Sequence, residues 1–259
     1  MLRSIGLLLL ATAGFAAASV ITLQSGSTAG ESVMVNGLNA IGGSGMNCSI
    51  GAPPATQACG SSNPSTTSFS AGTIDPLSDV TPSWASAPSG ASWISFEDTG
   101  WNGTNAVNTV SDSGCSSGST ARAGNCQPNA EFFQTFTDTS MDLILSLTVW
   151  ADDTAAVYLD GTLILSPGFM QGSTACSGGV VTCSGAGATY TSPSGLLTSG
   201  VTHTLEFDVY QTGGWTYGLL YNGTVTGWDA PPPVPEPATF ALLGGGLTAI
   251  GLIRRKRIF

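Results

Sequence analysis

Basic residues are almost missing from this chain. Its 259 residues hold six Lys and Arg, sixteen Asp and Glu, and one His. Five of the six bases, Arg3, Arg254, Arg255, Lys256 and Arg257, sit at the two ends. Residues 19–233 keep Arg122 alone against fifteen acids, a formal charge of −14. Nucleic-acid binding needs Lys and Arg to neutralise phosphates, so it is excluded. Anionic lipid surfaces are disfavoured for the same reason. Divalent cations and neutral polysaccharides remain open as partners. Catalytic signatures are scarce too. No G-x-S-x-G elbow, phosphate loop or dinucleotide fingerprint occurs. His203 falls on the apolar side of its strand pattern, where a structural role is the plain reading. A glycosidase needs two carboxylates set across a sugar. Glu206 and Asp208 share a strand face, and Asp152 and Asp153 share a turn, but both pairs read first as solvated acids. The chain is therefore not expected to be an enzyme, and a polysaccharide-acting enzyme is kept as a minor alternative.

What the chain does have is a pair of unusual ends. Residues 1–18 read MLRSIGLLLLATAGFAAA: a basic start, an apolar run from Ile5 to Phe15, and a small-residue site for cleavage after Ala18. They are expected to be a signal peptide. The last 26 residues read VPEPATFALLGGGLTAIGLIRRKRIF. Pro235 and Pro237 block regular helix up to that point. Residues 238–253 can then run as one apolar helix. Arg254, Arg255, Lys256 and Arg257 prefer the cytoplasmic side and stop transfer. Sixteen residues at about 1.5 Å each reach about 24 Å, short of a hydrocarbon core of about 30 Å. Four glycines weaken this helix further. A brief anchor awaiting cleavage suits it better than a permanent single-pass span, which stays as the alternative.

The tail closely resembles the PEP-CTERM sorting signal of exported proteins of Gram-negative bacteria, carried by Val234, Pro235, Glu236, Pro237 and the Arg254–Arg257 cluster. The resemblance implies an exosortase-type enzyme as processing partner, with cleavage near Pro-Glu-Pro. It also implies a transient place in the inner membrane and release to the cell surface or extracellular matrix. The tail gives an address and not a role; the leading expectation for the role is a non-enzymatic surface or matrix protein associated with exopolysaccharide or biofilm.

Between the ends, no sustained 3.6-residue apolar period appears. Short apolar runs broken by Gly, Pro and Asx-rich turns read as all-β. Leu143, Leu145, Leu147 and Val149 alternate with other residues, and Ala155, Val157 and Leu159 repeat the pattern after a turn. Asp160-Gly161 is a hairpin signal. Residues 201–210 form another clear strand, with Val201, His203, Leu205, Phe207 and Val209 on one side. Asn222-Gly223 reads as a second hairpin. Residues 91–96 and 131–137 are shorter candidates, and residues 111–120 a loop. The expected architecture is a jelly-roll or β-sandwich ectodomain, flanked by the signal peptide and a single C-terminal apolar helix. Its parts are a signal peptide at 1–18, a loop-rich stretch at 19–67, and the sandwich at 68–229. A Pro-rich linker at 230–237, a transmembrane helix at 238–253 and a basic tail at 254–259 follow. The succession SWISF, EFFQTF, LSLTVWADDTAAVYLDGTLI and VTHTLEFDVYQTGG resembles the galactose-binding-domain-like jelly rolls of secreted bacterial proteins. That fold hosts both sugar binders and purely structural modules.

Six cysteines in an exported chain favour disulfides. They fall as three close pairs, expected to join Cys48 to Cys59, Cys115 to Cys126 and Cys176 to Cys183. A carbohydrate-binding module is the alternative function. Its candidate residues are Trp101 with Asn102, and Trp215 with Tyr217, which put aromatic faces beside turns. Strand-embedded Trp93 and Trp150 read as core. No cofactor is expected; Ca2+ held by Asp152, Asp153 and Asp160 is the one metal reading.

Overall fold

The computed structural model describes residues 18–26, 29–36, 69–104, 106–108, 110, 113–123, 126–169, 176, 179–213, 216–229, 242–248 and 250. Two antiparallel sheets stack into a sandwich. The first runs β10 (Ala188–Thr191), β7 (Met141–Asp152), β12 (Gly218–Trp228), β5 (Ile94–Ser95), β4 (Asp75–Pro76). β1 (Ala18–Gln24) joins it along the far half of β12. The second runs β3 (Phe69–Ala71), β2 (Glu31–Asn36), β6 (Ala130–Thr137), β11 (Thr202–Tyr210), β8 (Thr154–Leu159), β9 (Thr162–Leu165). The all-β sandwich expected from the sequence is the fold observed.

Period-two alternation explains the layers. Leu143, Leu145, Leu147 and Val149 of β7 are buried, and they share one core with Leu205, Phe207 and Val209 of β11 and Val157 and Leu159 of β8. Burying one such side chain contributes about 1.5–3 kcal/mol. Phe207 stacks on Tyr221 across the sheets, with centroids 4.6 Å apart. His203 faces inward as the alternation requires. Its Nδ1 lies 2.6 Å from Asp160 Oδ2 and its Nε2 3.1 Å from the Thr198 carbonyl. Asp160 and Gly161 both take positive φ, 50° and 77°, as a two-residue hairpin of type I′ demands.

Two expectations change. Asn222-Gly223 is not a hairpin. β12 runs through it unbroken, with Asn222 opposite Gln24 on one side and Thr148 on the other. A Cβ on Gly223 would meet the Ser146 carbonyl oxygen at 2.7 Å, so this glycine serves a close strand approach rather than a turn. The stretch 19–67, read as loop-rich, contributes β1 and β2, one to each sheet. In the tail, the described helical residues fall inside the apolar helix expected at 238–253, whose other residues lie outside the described ones. Residues 242–248 and 250 are helical, and among the described residues no helix is long and apolar enough to cross a membrane. Of the expected signal peptide, residues 1–17 lie outside the described residues, as do the linker 230–237 and the basic cluster 254–259.

The strand registers define two ends. At one, here the tail end, Trp228 lies opposite both Ala18 and Met141, and Thr137 lies opposite Thr202. At the other, the loop end, lie Asp152, Gly218 and Ala130, together with long loops that carry two disulfides. If β12 is one strand, Gly223→Ala costs about 1–3 kcal/mol through overpacking against Ser146. Urea denaturation checks this; a loss within about 0.5 kcal/mol, usual for an unconstrained surface position, goes against the unbroken strand.

Candidate functional site

The most organised polar cluster sits near the loop end, on the outer face of the second sheet. Alternation along β11 sends Glu206, Asp208 and Tyr210 outward, and the neighbouring strands add Glu131 and Tyr158. The loop closed by the Cys115–Cys126 disulfide, with Cα atoms 4.6 Å apart, lies over this face. At its tip Arg122 takes φ 58°, a left-handed conformation uncommon for a side-chain-bearing residue. Its guanidinium grips Asp208 with two bonds, Nε to Oδ2 at 2.5 Å and Nη2 to Oδ1 at 2.6 Å. The same Nη2 donates to Glu206 and lies 3.6 Å from Glu131. The guanidinium carbon stands 4.6 Å above the Tyr158 ring, in cation–π range. Cys115, Cys126, Ala156, Phe169 and Tyr210 pack beneath as a small second core.

This is a clasp with its own counter-ion. Burial pushes Asp208 up to about 6 against the pull of Arg122, so at neutral pH the ion pair is intact. Burial, then the nearby Asp208 charge, pushes Glu131 up to about 7. Arg122 is raised as well, chiefly by the Asp208 hydrogen bonds, and for a base this favours the charged form. Oxygens of Glu131, Glu206 and Asp208 lie within 4.8 Å of one another, a spacing that suits a cation. The guanidinium is the cation that reaches them. Each acid it holds is thereby withdrawn from solvent chemistry.

A second cluster fills the loop end of the first sheet. The peptide bond between Asp152 and Asp153 is cis. Asp152 Oδ2 accepts from Trp84 Nε1 at 3.1 Å and Thr216 Oγ1 at 2.6 Å. Asp153 Oδ2 accepts from the Thr212 amide and hydroxyl at 2.7 and 2.9 Å. Burial, with Asp153 beside it, pushes Asp152 well above the carboxylate range. Trp84 and Trp93 pack 4.2 Å apart beside the Cys176–Cys183 disulfide.

The structure does not assemble the three-acid calcium set. Asp160 sits at the tail end, separated from Asp152 and Asp153 by the six residues of β8, about 20 Å. The sugar-site set is also divided. Tyr217 is fully buried, its hydroxyl bonded to the Val209 carbonyl and its ring 5.3 Å from Phe96, so it has no open face for a sugar. Trp101 is half-buried in an exposed turn in which Asn102 Oδ1 accepts the Thr104 amide at 3.0 Å. Trp215 and the Cys48–Cys59 pair lie outside the described residues. Trp93 and Trp150 are core, Trp150 within β7 and Trp93 just before β5. The sequence reading gave Arg122, Glu131 and Trp84 no role. For Arg122 a signal existed: one base among fifteen acids has to choose a partner.

Beyond β12 the chain leaves through Asp229 into the Pro-rich linker. Residues 233–257 match the family model of the PEP-CTERM protein-sorting motif. The chain carries a PEP-CTERM sorting signal. A PEP-CTERM signal implies an exported protein, handled by an exosortase and held at the membrane by a transient anchor. No curated protein matches the chain. Among solved structures, a family 35 carbohydrate-binding module from Clostridium thermocellum aligns at TM-score 0.28 and 7% identity, over 59% of this chain and 89% of that one. The PA14 domain of the antifreeze protein MpAFP aligns at TM-score 0.21 and 10% identity, over 39% of this chain and 45% of that one.

Two outcomes follow for the clasp. Arg122→Gln leaves Asp208 buried without its counter-ion. Because Arg122 is over a third exposed, the expected loss is about 2 kcal/mol, below that of a fully buried pair. Chemical denaturation measures it, and an unchanged midpoint would show that the clasp holds nothing. The pH dependence has a definite sign. Glu31 and Glu131 rise from 4.5 to about 7 on folding, and Asp208 from 3.8 to about 6, so the folded state binds more protons. Stability therefore falls as pH rises from about 4 to about 7. Thermal melts across that range check it, and a melting temperature that climbs instead reverses the assignment.

Proposed function

We propose that this protein is a non-enzymatic surface or extracellular-matrix component, associated with exopolysaccharide and delivered by its PEP-CTERM tail. The sorting motif at residues 233–257 carries the reading. The body supports it. Its clustered acids are engaged internally: Arg122 holds Asp208 and Glu206, and Trp84, Thr216 and Thr212 hold Asp152 and Asp153. Two disulfides pin the loops of the exposed end, as suits a module that works outside the cell. The strongly acidic body stays soluble beside neutral glycans and does not bind anionic lipid or nucleic acid.

Carbohydrate binding is the second reading, and Trp101 favours it by standing half-open in a turn beside Asn102. Saturable binding to host exopolysaccharide that Trp101→Ala abolishes would make it the better account.

The deciding experiment is the intact mass of protein recovered from its host, before and after reduction. The expected mass runs from Ser19 to near Val234 and gains about six daltons on reduction, one hydrogen for each cysteine. A mass that retains residues 238–259 would make this a plain anchored protein.

A further inference from the structure

Outside residues 242–250, seven large apolar side chains are strongly exposed among the described residues: Val20, Met141, Leu163, Val180, Leu196, Val201 and Trp228. Five of them gather at the tail end. Trp228 is the register partner of Met141, and Val20 lies opposite Thr226, two pairs in from the Ala18–Trp228 end. Leu196 and Val201 belong to the β10–β11 loop, which folds over the same end. The Gly200 amide donates to the Asp138 carbonyl at 2.7 Å, and Ser199 Oγ donates to the Thr139 carbonyl at 2.7 Å. An apolar rim of this kind on an otherwise polar body marks a contact surface.

Both apolar segments of the chain leave from this same rim. Ala18 lies three residues past the apolar run that ends at Phe15, and only Asp229 separates Trp228 from the linker. As antiparallel partners, Ala18 and Trp228 have Cα atoms about 5 Å apart. The eight linker residues 230–237 reach at most about 28 Å when fully extended. While the tail is anchored, the rim is the part of the body nearest the bilayer.

We infer that the tail end, through Trp228, Met141, Val20, Val201 and Leu196, rests on the lipid interface of the anchored precursor. The inference builds on the sorting reading above. Trp and apolar side chains suit the headgroup boundary. Asp138, Asp142, Asp160 and Asp229 lie at this end, and among the described residues no Lys or Arg joins them. The matching surface is therefore zwitterionic. The loop end, with Arg122 and Trp101, then points away from the membrane. Landing on this rim holds the Pro-Glu-Pro segment close to the bilayer, where a membrane-embedded processing enzyme reaches it.

The test uses the full chain reconstituted in phosphatidylcholine vesicles, with and without bromine on the acyl chains near the interface. Bromine quenches Trp emission at contact. We expect quenching of the wild-type chain, of which Trp228→Phe removes most. The double variant Met141→Ser, Val201→Ser should weaken what remains at Trp228. Equal quenching in wild type and Trp228→Phe would overturn the inference while leaving the anchor intact. Absent quenching, with chemical cross-links joining two copies through this rim, would also overturn it and make a second copy the occupant. If the chain fails to float with the vesicles at all, the sorting reading fails first and this inference goes with it.

Discussion

The pairing of β12 with β7 runs from Gly218 opposite Asp152 to Trp228 opposite Met141, and the other layers are arranged around it. Its inner face offers Leu219, Tyr221 and Val225 beside Leu143, Leu145, Leu147 and Val149. The second sheet closes on that surface, with Phe207 stacked on Tyr221. Tyr221 also crosses the gap with its hydroxyl, donating to Glu31 and bonding Gln134 at 2.9 Å. One ladder thus sets the apolar contact and the polar cross-tie between sheets. It also fixes where each end of the body emerges.

That ladder was only partly legible in the sequence. The β7 row, the β8–β9 hairpin and β11 could be read because their alternation is strict and their turn chemistry strong. Asn222-Gly223 misled because the same dipeptide serves two purposes. In a turn it supplies positive φ; here the glycine makes room for the Ser146 carbonyl. β1 and β2 were missed because they lie next to a Ser- and Gly-rich stretch, and they pair only with distant partners. Local pattern carries no record of a partner two hundred residues away. The functional residues divide along the same line. The sorting tail is contiguous and was readable in full. Tyr217 was misread because its neighbours look like a turn, whereas its position just before β12 turns it inward.

Charge is handled with economy at the clasp. A body with fifteen acids and one base has little use for surface ion pairs, which contribute at most about 1 kcal/mol each. The single base instead sits where burial makes an unpaired carboxylate costly, against a fully buried Asp208. A disulfide shortens the loop that carries it, which lowers the entropy lost in holding the guanidinium in place. Covalent and electrostatic constraints act on the same few residues, and together they fasten a long irregular loop onto a regular sheet.

The pairing of β1 with β12 also bears on the order of assembly. β1 is made long before its partner strand; Gln24 and Asn222, bonded side chain to side chain, are 198 residues apart. The first sheet is incomplete until β12 has been delivered. Such non-local closure is slow. For an exported chain that crosses a membrane unfolded, that slowness would be a gain, since premature collapse would jam its passage.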